Sequence, residues 1–221
     1  MSASRILVLQ HSDHGGPGSI ATCVERRGMA LDVVRLDRGE AIPTLEGIAG
    51  LVVLGGPDEG GAGAEWERPE RLLIADALRI GVRVLGICHG AQALARSQGG
   101  RILPGSSSRI GMGRVAIPVW ANADPLFGPE APVMDCFWWY RDGVDLPSGA
   151  LPLAGDETSP DLAFRIGRGW GVMFHVEADE ALAEAWRPLL PEGTEIDGAL
   201  LGEIGERVID RWLDRVEAAG R

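Results

Sequence analysis

The sequence predicts an α/β protein with a mostly parallel sheet, helices on both faces and a few antiparallel strands at one edge. Three observations predict it. Short continuous apolar runs alternate with amphipathic segments through the first half of the chain, the rhythm of strand–helix–strand units. Glycine and proline punctuate the joints between them. In the second half the apolar runs follow one another without long helices between, as antiparallel additions do.

Ile6-Leu7-Val8-Leu9 reads as a strand covered on both faces. After the glycine-rich turn at His14-Gly15-Gly16-Pro17-Gly18, Ile20, Cys23 and Val24 fall at helical spacing, and Gly28 is a natural stop. Val33 to Leu36 and Leu51 to Leu54 read as the second and third strands. Residues 60–67 read as an exposed loop. Pro69 suits the first turn of a helix carrying Leu72, Ala75 and Leu78 on one face, with Gly81 past its end. Val82 to Ile87 is a fourth strand, and Ala91 to Ser97 is helical in composition. Val115 to Val119, Leu162 to Ile166 and Gly171 to Phe174 look like the edge strands, and Val208, Ile209, Trp212, Leu213 and Val216 form the stripe of a closing helix. The simplest account is one domain over residues 1–221.

Composition narrows the function classes. Hydrophobic residues make up 45% of the 221, enough for a sizeable core. A net charge of −11 would repel a phosphate backbone, so nucleic acid is not an expected partner. Three cysteines, Cys23, Cys88 and Cys136, without CxxC spacing, form neither a disulfide framework nor a zinc motif. No run approaches the ~20 apolar residues of a membrane span, and Met1 to Arg5 leads into only four apolar residues. A cytoplasmic protein with no membrane association is expected.

The sharpest local signal is Gly86-Ile87-Cys88-His89-Gly90, set between a buried strand and a helix. It has the form of a nucleophile elbow with cysteine in place of serine. A nucleophile in so tight a turn needs small neighbours two residues away, and both are glycine. The turn also places Cys88 at a helix N-terminus, where partial positive charge favours an anion. A thiol nucleophile needs a base, and the base an orienting acceptor. Of four histidines, His175 ends an apolar run and is followed two residues later by Glu177. On an extended backbone the two would point the same way, giving a Cys–His–Glu triad. Oxyanion donors would come from the His89 N–H and from Gly55-Gly56-Pro57 after the third strand.

Other clusters are weaker. His11, Asp13 and His14 lack a wider ligand framework, so no metal is expected. Trp138-Trp139-Tyr140 reads as packing before it reads as a stacking surface. Residues 15–18 lack the spacing of a phosphate or dinucleotide loop, and no cofactor is expected.

Taken together, Leu54-Gly55-Gly56-Pro57, Gly86-Ile87-Cys88-His89-Gly90-Ala91-Gln92 and Phe174-His175-Val176-Glu177 resemble, in order, the oxyanion loop, the G-[IV]-C-x-G-x-Q elbow and the F-H-P-E motif of class I glutamine amidotransferases, in particular the GMP synthase-type glutaminase group. The resemblance implies a flavodoxin-like three-layer sandwich and hydrolysis of a glutamine side-chain amide through a thioester. It implies Cys88 as nucleophile, His175 and Glu177 as its partners, Gly56 and His89 as oxyanion donors, and Gln92 as a contact to glutamine. Trp139-Tyr140-Arg141-Asp142 stands where the group carries W-H-G-D, a segment that contacts the glutamine ends, so Tyr140 and Arg141 are expected at the substrate. Val176 replaces the proline of F-H-P-E, and His89 stands where leucine, tyrosine or arginine is more usual. Three readings follow: a glutaminase that passes ammonia to a synthase on another chain, a stand-alone γ-glutamyl amide or peptide hydrolase favoured by Arg141, and a non-catalytic binding protein on the same scaffold.

Overall fold

The computed structural model describes residues 4–56 and 64–219. The expectations for Met1 to Ala3, Pro57 and residues 60–63 lie outside the described residues.

In chain order the strands and helices are β1 (Arg5–Gln10), α1 (Ser19–Arg26), β2 (Ala30–Arg35), β3 (Ile48–Val53), α2 (Glu67–Ile80), β4 (Arg83–Ile87), α3 (His89–Ser97), β5 (Arg101–Leu103), β6 (Arg109–Ala116), β7 (Val133–Tyr140), β8 (Gly143–Asp145), β9 (Leu151–Ala154), β10 (Ala163–Ile166), β11 (Gly169–Val172), α4 (Glu180–Trp186) and α5 (Gly198–Ala219). The main sheet runs β2-β1-β3-β4-β11-β10-β9. Its first five strands are parallel, and β10 and β9 complete it antiparallel.

Helices cover both faces, and the alternation of side chains along β3 shows how. Gly50 faces α5, where an added Cβ would come 2.8 Å from the Trp212 ring. Val53, of opposite parity, faces the start of α3, and a Cβ on Gly90 would come 2.9 Å from its side chain. Leu7, Val8, Leu51, Val52, Val84 and Leu85 are buried to 1% exposure or less, as strands sandwiched between helix layers require. The result is the flavodoxin-like three-layer arrangement.

Four readings change. Gly171 to Phe174 is not an antiparallel addition: β11 is parallel to β4 and lies inside the sheet, because the intervening chain, mostly strands and turns, crosses over without a long helix. Val115 to Val119 belongs not to the main sheet but to β6, which pairs with β7 in a separate antiparallel ribbon and ends before Pro118. Glu67 already belongs to α2, whose buried stripe is Glu70, Ile74 and Ala77, while Leu72 is 56% exposed. That stripe is disguised in the sequence by a carboxylate. Lastly, residues 175–177 lie in a turn beyond β11 rather than on a strand.

The parallel strands β1, β3, β4 and β11 end on the same edge of the sheet, and the chain just beyond each supplies His11, Gly55-Gly56, Cys88 and His175. Ligands of open α/β sheets characteristically sit at the carboxyl ends of strands.

Candidate active site

Cys88 joins β4 to α3 with φ 53° and ψ −108°, and is the one non-glycine residue of positive φ among those described. For a side chain other than glycine this backbone is strained. The flanking glycines make it attainable. A Cβ on Gly86 would lie 2.3 Å from the Gly90 carbonyl oxygen, and one on Gly90 would lie 2.0 Å from that of Val53. The Cys88 N–H donates to the Val172 carbonyl at 2.7 Å, tying the elbow to β11.

His175 Nδ1 lies 2.8 Å from Glu177 Oε1. The other ring nitrogen, Nε2, lies 3.4 Å from the Trp139 carbonyl oxygen, toward which the Cys88 thiol also points at 3.5 Å. Thiol and imidazole thus converge on one backbone acceptor at the end of β7. All three side chains are nearly sealed, with Cys88 9%, His175 7% and Glu177 1% exposed. Burial disfavours the imidazolium, but the Glu177 carboxylate and then the Cys88 sulfur override it and hold His175 well above the ordinary histidine range. The Trp186 indole stands edge-on to the His175 ring, 5.1 Å between centroids.

Backbone contacts position the turn that carries His175 and Glu177. Gly18, with φ 46°, lies so close that a Cβ there would sit 2.1 Å from the Glu177 carbonyl oxygen, which accepts from the Ser19 N–H at 3.0 Å. A Cβ on Gly205 of α5 would meet the Val176 carbonyl oxygen at 2.1 Å. The glycine-rich turn after β1 therefore seats this backbone.

Gly55 lies against Cys88 and His175, and Gly56 against His89. A Cβ on Gly55 would be 3.3 Å from the His175 ring, and one on Gly56 would be 3.0 Å from that of His89. His89 is the first residue of α3, so its N–H is one of the four that a helix leaves without an intrahelical acceptor. A cavity of about 280 Å³ opens over Cys88, lined by Gly55, Gly56, His175 and Glu177 and walled by Trp139, Trp186 and Leu189.

Gln92, Tyr140 and Arg141, the residues expected at the substrate, do not line this cavity. Gln92 Nε2 donates to the Asp142 carbonyl at 3.2 Å, tethering the β7–β8 turn. Tyr140 is buried and lines a separate cavity of about 250 Å³ with Ser107, Val144 and Met173. Arg141 is exposed and lines neither cavity.

The histidine group after β1 is not formed as a unit. Asp13 pairs with Arg35 at 2.5 Å and Arg38 at 2.7 Å, which hold its carboxyl at about 2. His11 turns inward instead, to Glu70 at 2.6 Å, and the second carboxylate oxygen of Glu70 takes His89 at 2.9 Å. Sequence reading missed Glu70. The available signal was its position four and seven residues before Ile74 and Ala77 on the buried stripe of α2.

Within this setting the likenesses to known proteins are informative. The sequence model of the glutamine amidotransferase class-I family matches residues 14–162, which include Cys88 and end before His175 and Glu177. A GMP synthase [glutamine-hydrolyzing] from Shewanella sediminis is 28% identical over 169 residues, covering 72% of this chain and 31% of that protein. The chain thus spans about a third of the length of that relative, and less of others it matches. Crystal structures of glutamine amidotransferases from Methylobacillus flagellatus and Thermotoga maritima superpose with TM-scores of 0.86 and 0.83, each at 24% identity. The first match covers 96% of this chain and 95% of that one, and the second covers 98% and 99%. With more than half of its residues matched by the family model, on the family's fold, the chain belongs to the class-I glutamine amidotransferases.

Proposed function

We propose that residues 1–221 act as a single amidohydrolase domain that cleaves the side-chain amide of glutamine, or of a γ-glutamyl compound, through a Cys88 thioester. The observation that carries this reading is the convergence of the Cys88 thiol and His175 Nε2 on one acceptor, with Glu177 bound to the far side of the ring. In the first half-reaction His175 takes the Cys88 thiol proton as the sulfur bonds to the amide carbon, and delivers it to the nitrogen as the carbon–nitrogen bond breaks and ammonia leaves. In the second, His175 takes a proton from water as its oxygen attacks the thioester. The carbon–sulfur bond breaks, the proton passes from His175 to the departing sulfur, and the acid product leaves with Cys88 restored. Glu177 holds the ring and balances its charge. The backbone N–H groups of Gly56 and His89 stabilise the oxyanion, and Gln92 shapes the substrate end by tethering the β7–β8 turn. Tyr140 and Arg141 act at that same end. Ammonia would pass to an acceptor-binding synthase on another chain. The relatives' name, which joins GMP synthesis to glutamine hydrolysis, supports such a partner.

A second reading is favoured by one observation. The cavity on the His175 side of Cys88 is walled by Trp139, Trp186 and Leu189. His175 protonates the leaving nitrogen, so this wall faces the leaving group, and an apolar wall suits an amine larger than ammonia. Release of ammonia from L-glutamine, measured for wild type and Cys88→Ala beside a panel of γ-glutamyl amides, separates the two. Glutamine turnover lost in the variant supports the glutaminase. Turnover of conjugates alone supports the γ-glutamyl hydrolase. Turnover of neither overturns both.

A further inference from the structure

Beside the Cys88–His175–Glu177 group, His11, Glu70 and His89 form a buried His–Glu–His constellation against Gly56. His11 Nε2 and His89 Nε2 bind opposite oxygens of the Glu70 carboxylate at 2.6 and 2.9 Å, and the three side chains are 0%, 0% and 5% exposed. The Trp66 indole closes the group, with ring centroids 4.7 Å from His11 and 5.3 Å from His89. These are the donor types of a metal site, and their ligand atoms lie within 4.8 Å of one another. The surroundings speak for hydrogen bonding instead. A metal-bound imidazole normally donates its other N–H to a partner, whereas the Nδ1 atoms of both His11 and His89 are buried without one.

Position gives the constellation its meaning. His89 follows the nucleophile and opens α3, so its ring and its N–H hang on the same backbone, and fixing the ring restrains the direction of the N–H. The ring is pinned by Glu70 at its far end. Gly56 packs on that ring, where an added Cβ would come 3.0 Å from Cγ and 3.2 Å from Cβ. One imidazole therefore carries one donor on its own backbone and supports the other on its face. We infer that Glu70 is a positioning residue for amide hydrolysis: through the His89 ring, braced by His11, it sets the directions of both oxyanion donors. The inference rests on the proposed function and adds to it a residue on α2 that touches no substrate.

The test compares two reactions at Cys88. Hydrolysis of the amide that wild type turns over develops an oxyanion, whereas alkylation by iodoacetamide displaces iodide from carbon and develops none. Glu70→Ala is expected to lower kcat about 100-fold, the loss that a misplacement of about 1 Å brings. KM and the alkylation rate are expected within about twofold of wild type. Glu70→Gln, which keeps two hydrogen-bonding atoms at the same reach, is expected to recover most of the loss. Should Glu70→Ala not fold, His89→Ala carries the same expectation, since it keeps the backbone N–H and removes only the ring. Unchanged kcat in the alanine variants, a parallel fall of hydrolysis and alkylation, or a glutamine variant as slow as alanine would each overturn the inference. Wild type that turns over no amide would overturn the proposed function first, and this with it.

Discussion

His175 and Glu177 are joined at 2.8 Å between Nδ1 and Oε1 although neither lies on a strand. The turn that carries them is held by contacts to their backbone, so the pair can be altered chemically without moving it. Glu177→Gln removes the principal group that raises the His175 pKa. The imidazole is expected to titrate at lower pH than in wild type when followed by NMR, with the sheet unchanged. The sign for stability follows. A raised histidine pKa contributes stability that is complete below the unfolded value of about 6.5 and is lost as pH rises through the folded value. Wild type should therefore lose stability relative to Glu177→Gln on the alkaline side, in urea melts from pH 6 upward.

Glu70 should show the opposite dependence. Burial opposes its charge, but the hydrogen bonds from His11 and His89 prevail and hold its carboxyl at about 2. A depressed carboxyl contributes stability that is present above the unfolded value of about 4.3 and is lost as pH falls toward 2. Acid unfolding of wild type should be steeper between those limits than that of Glu70→Gln, as read by circular dichroism.

Gly18→Ala should be costly and Gly16→Ala should not. Gly18 has φ 46° and its new Cβ would fall 2.1 Å from the Glu177 carbonyl oxygen, whereas the nearest atom to one on Gly16 is 3.9 Å away. Backbone strain alone costs about 1–3 kcal/mol, and displacement of the Glu177 segment adds a loss of turnover. Thermal melts together with turnover per folded molecule separate the effects: Gly18→Ala should lower both Tm and turnover, and Gly16→Ala neither.

Asp124 is a buried carboxylate outside the cavity over Cys88. It is 4% exposed and accepts from the N–H groups of Leu126 and Phe127, from Trp170 Nε1 at 3.2 Å and from Arg165 at 3.3 Å. Asp124→Ala leaves those donors unpaired, a loss of about 1–3 kcal/mol, measurable by urea denaturation. Turnover per folded molecule should stay at the wild-type level.

Of the parallel half, β1, β3 and β4 were legible because their cores are continuous apolar runs, and α1 because Ile20, Cys23 and Val24 keep its period. Gly81, read as the stop of α2, caps it at φ 91°. The elbow was legible for a local reason: Gly86 and Gly90 have no room for a side chain, and the order of residues records that directly. The ribbon of β6 and β7 was not. Trp138, Trp139 and Tyr140 end a strand whose pairing with Arg109, Ile110 and Gly111 is non-local. The Trp139 carbonyl, on which Cys88 and His175 converge, is a backbone atom, and no choice of side chain announces it. Glu70 escaped notice because a carboxylate reads as solvated until two histidines from distant segments are seen to enclose it.

The two glycines that grip the turn of His175 and Glu177 come from opposite ends of the chain, Gly18 before α1 and Gly205 in α5. During synthesis the N-terminal part emerges and can begin to fold first. Cys88 and its elbow are thus complete while residues 198–219 of α5 are still unmade. The turn of His175 and Glu177 gains its second brace only when α5 docks. The nascent chain therefore carries the Cys88 elbow well before the turn of His175 and Glu177 is held from both sides.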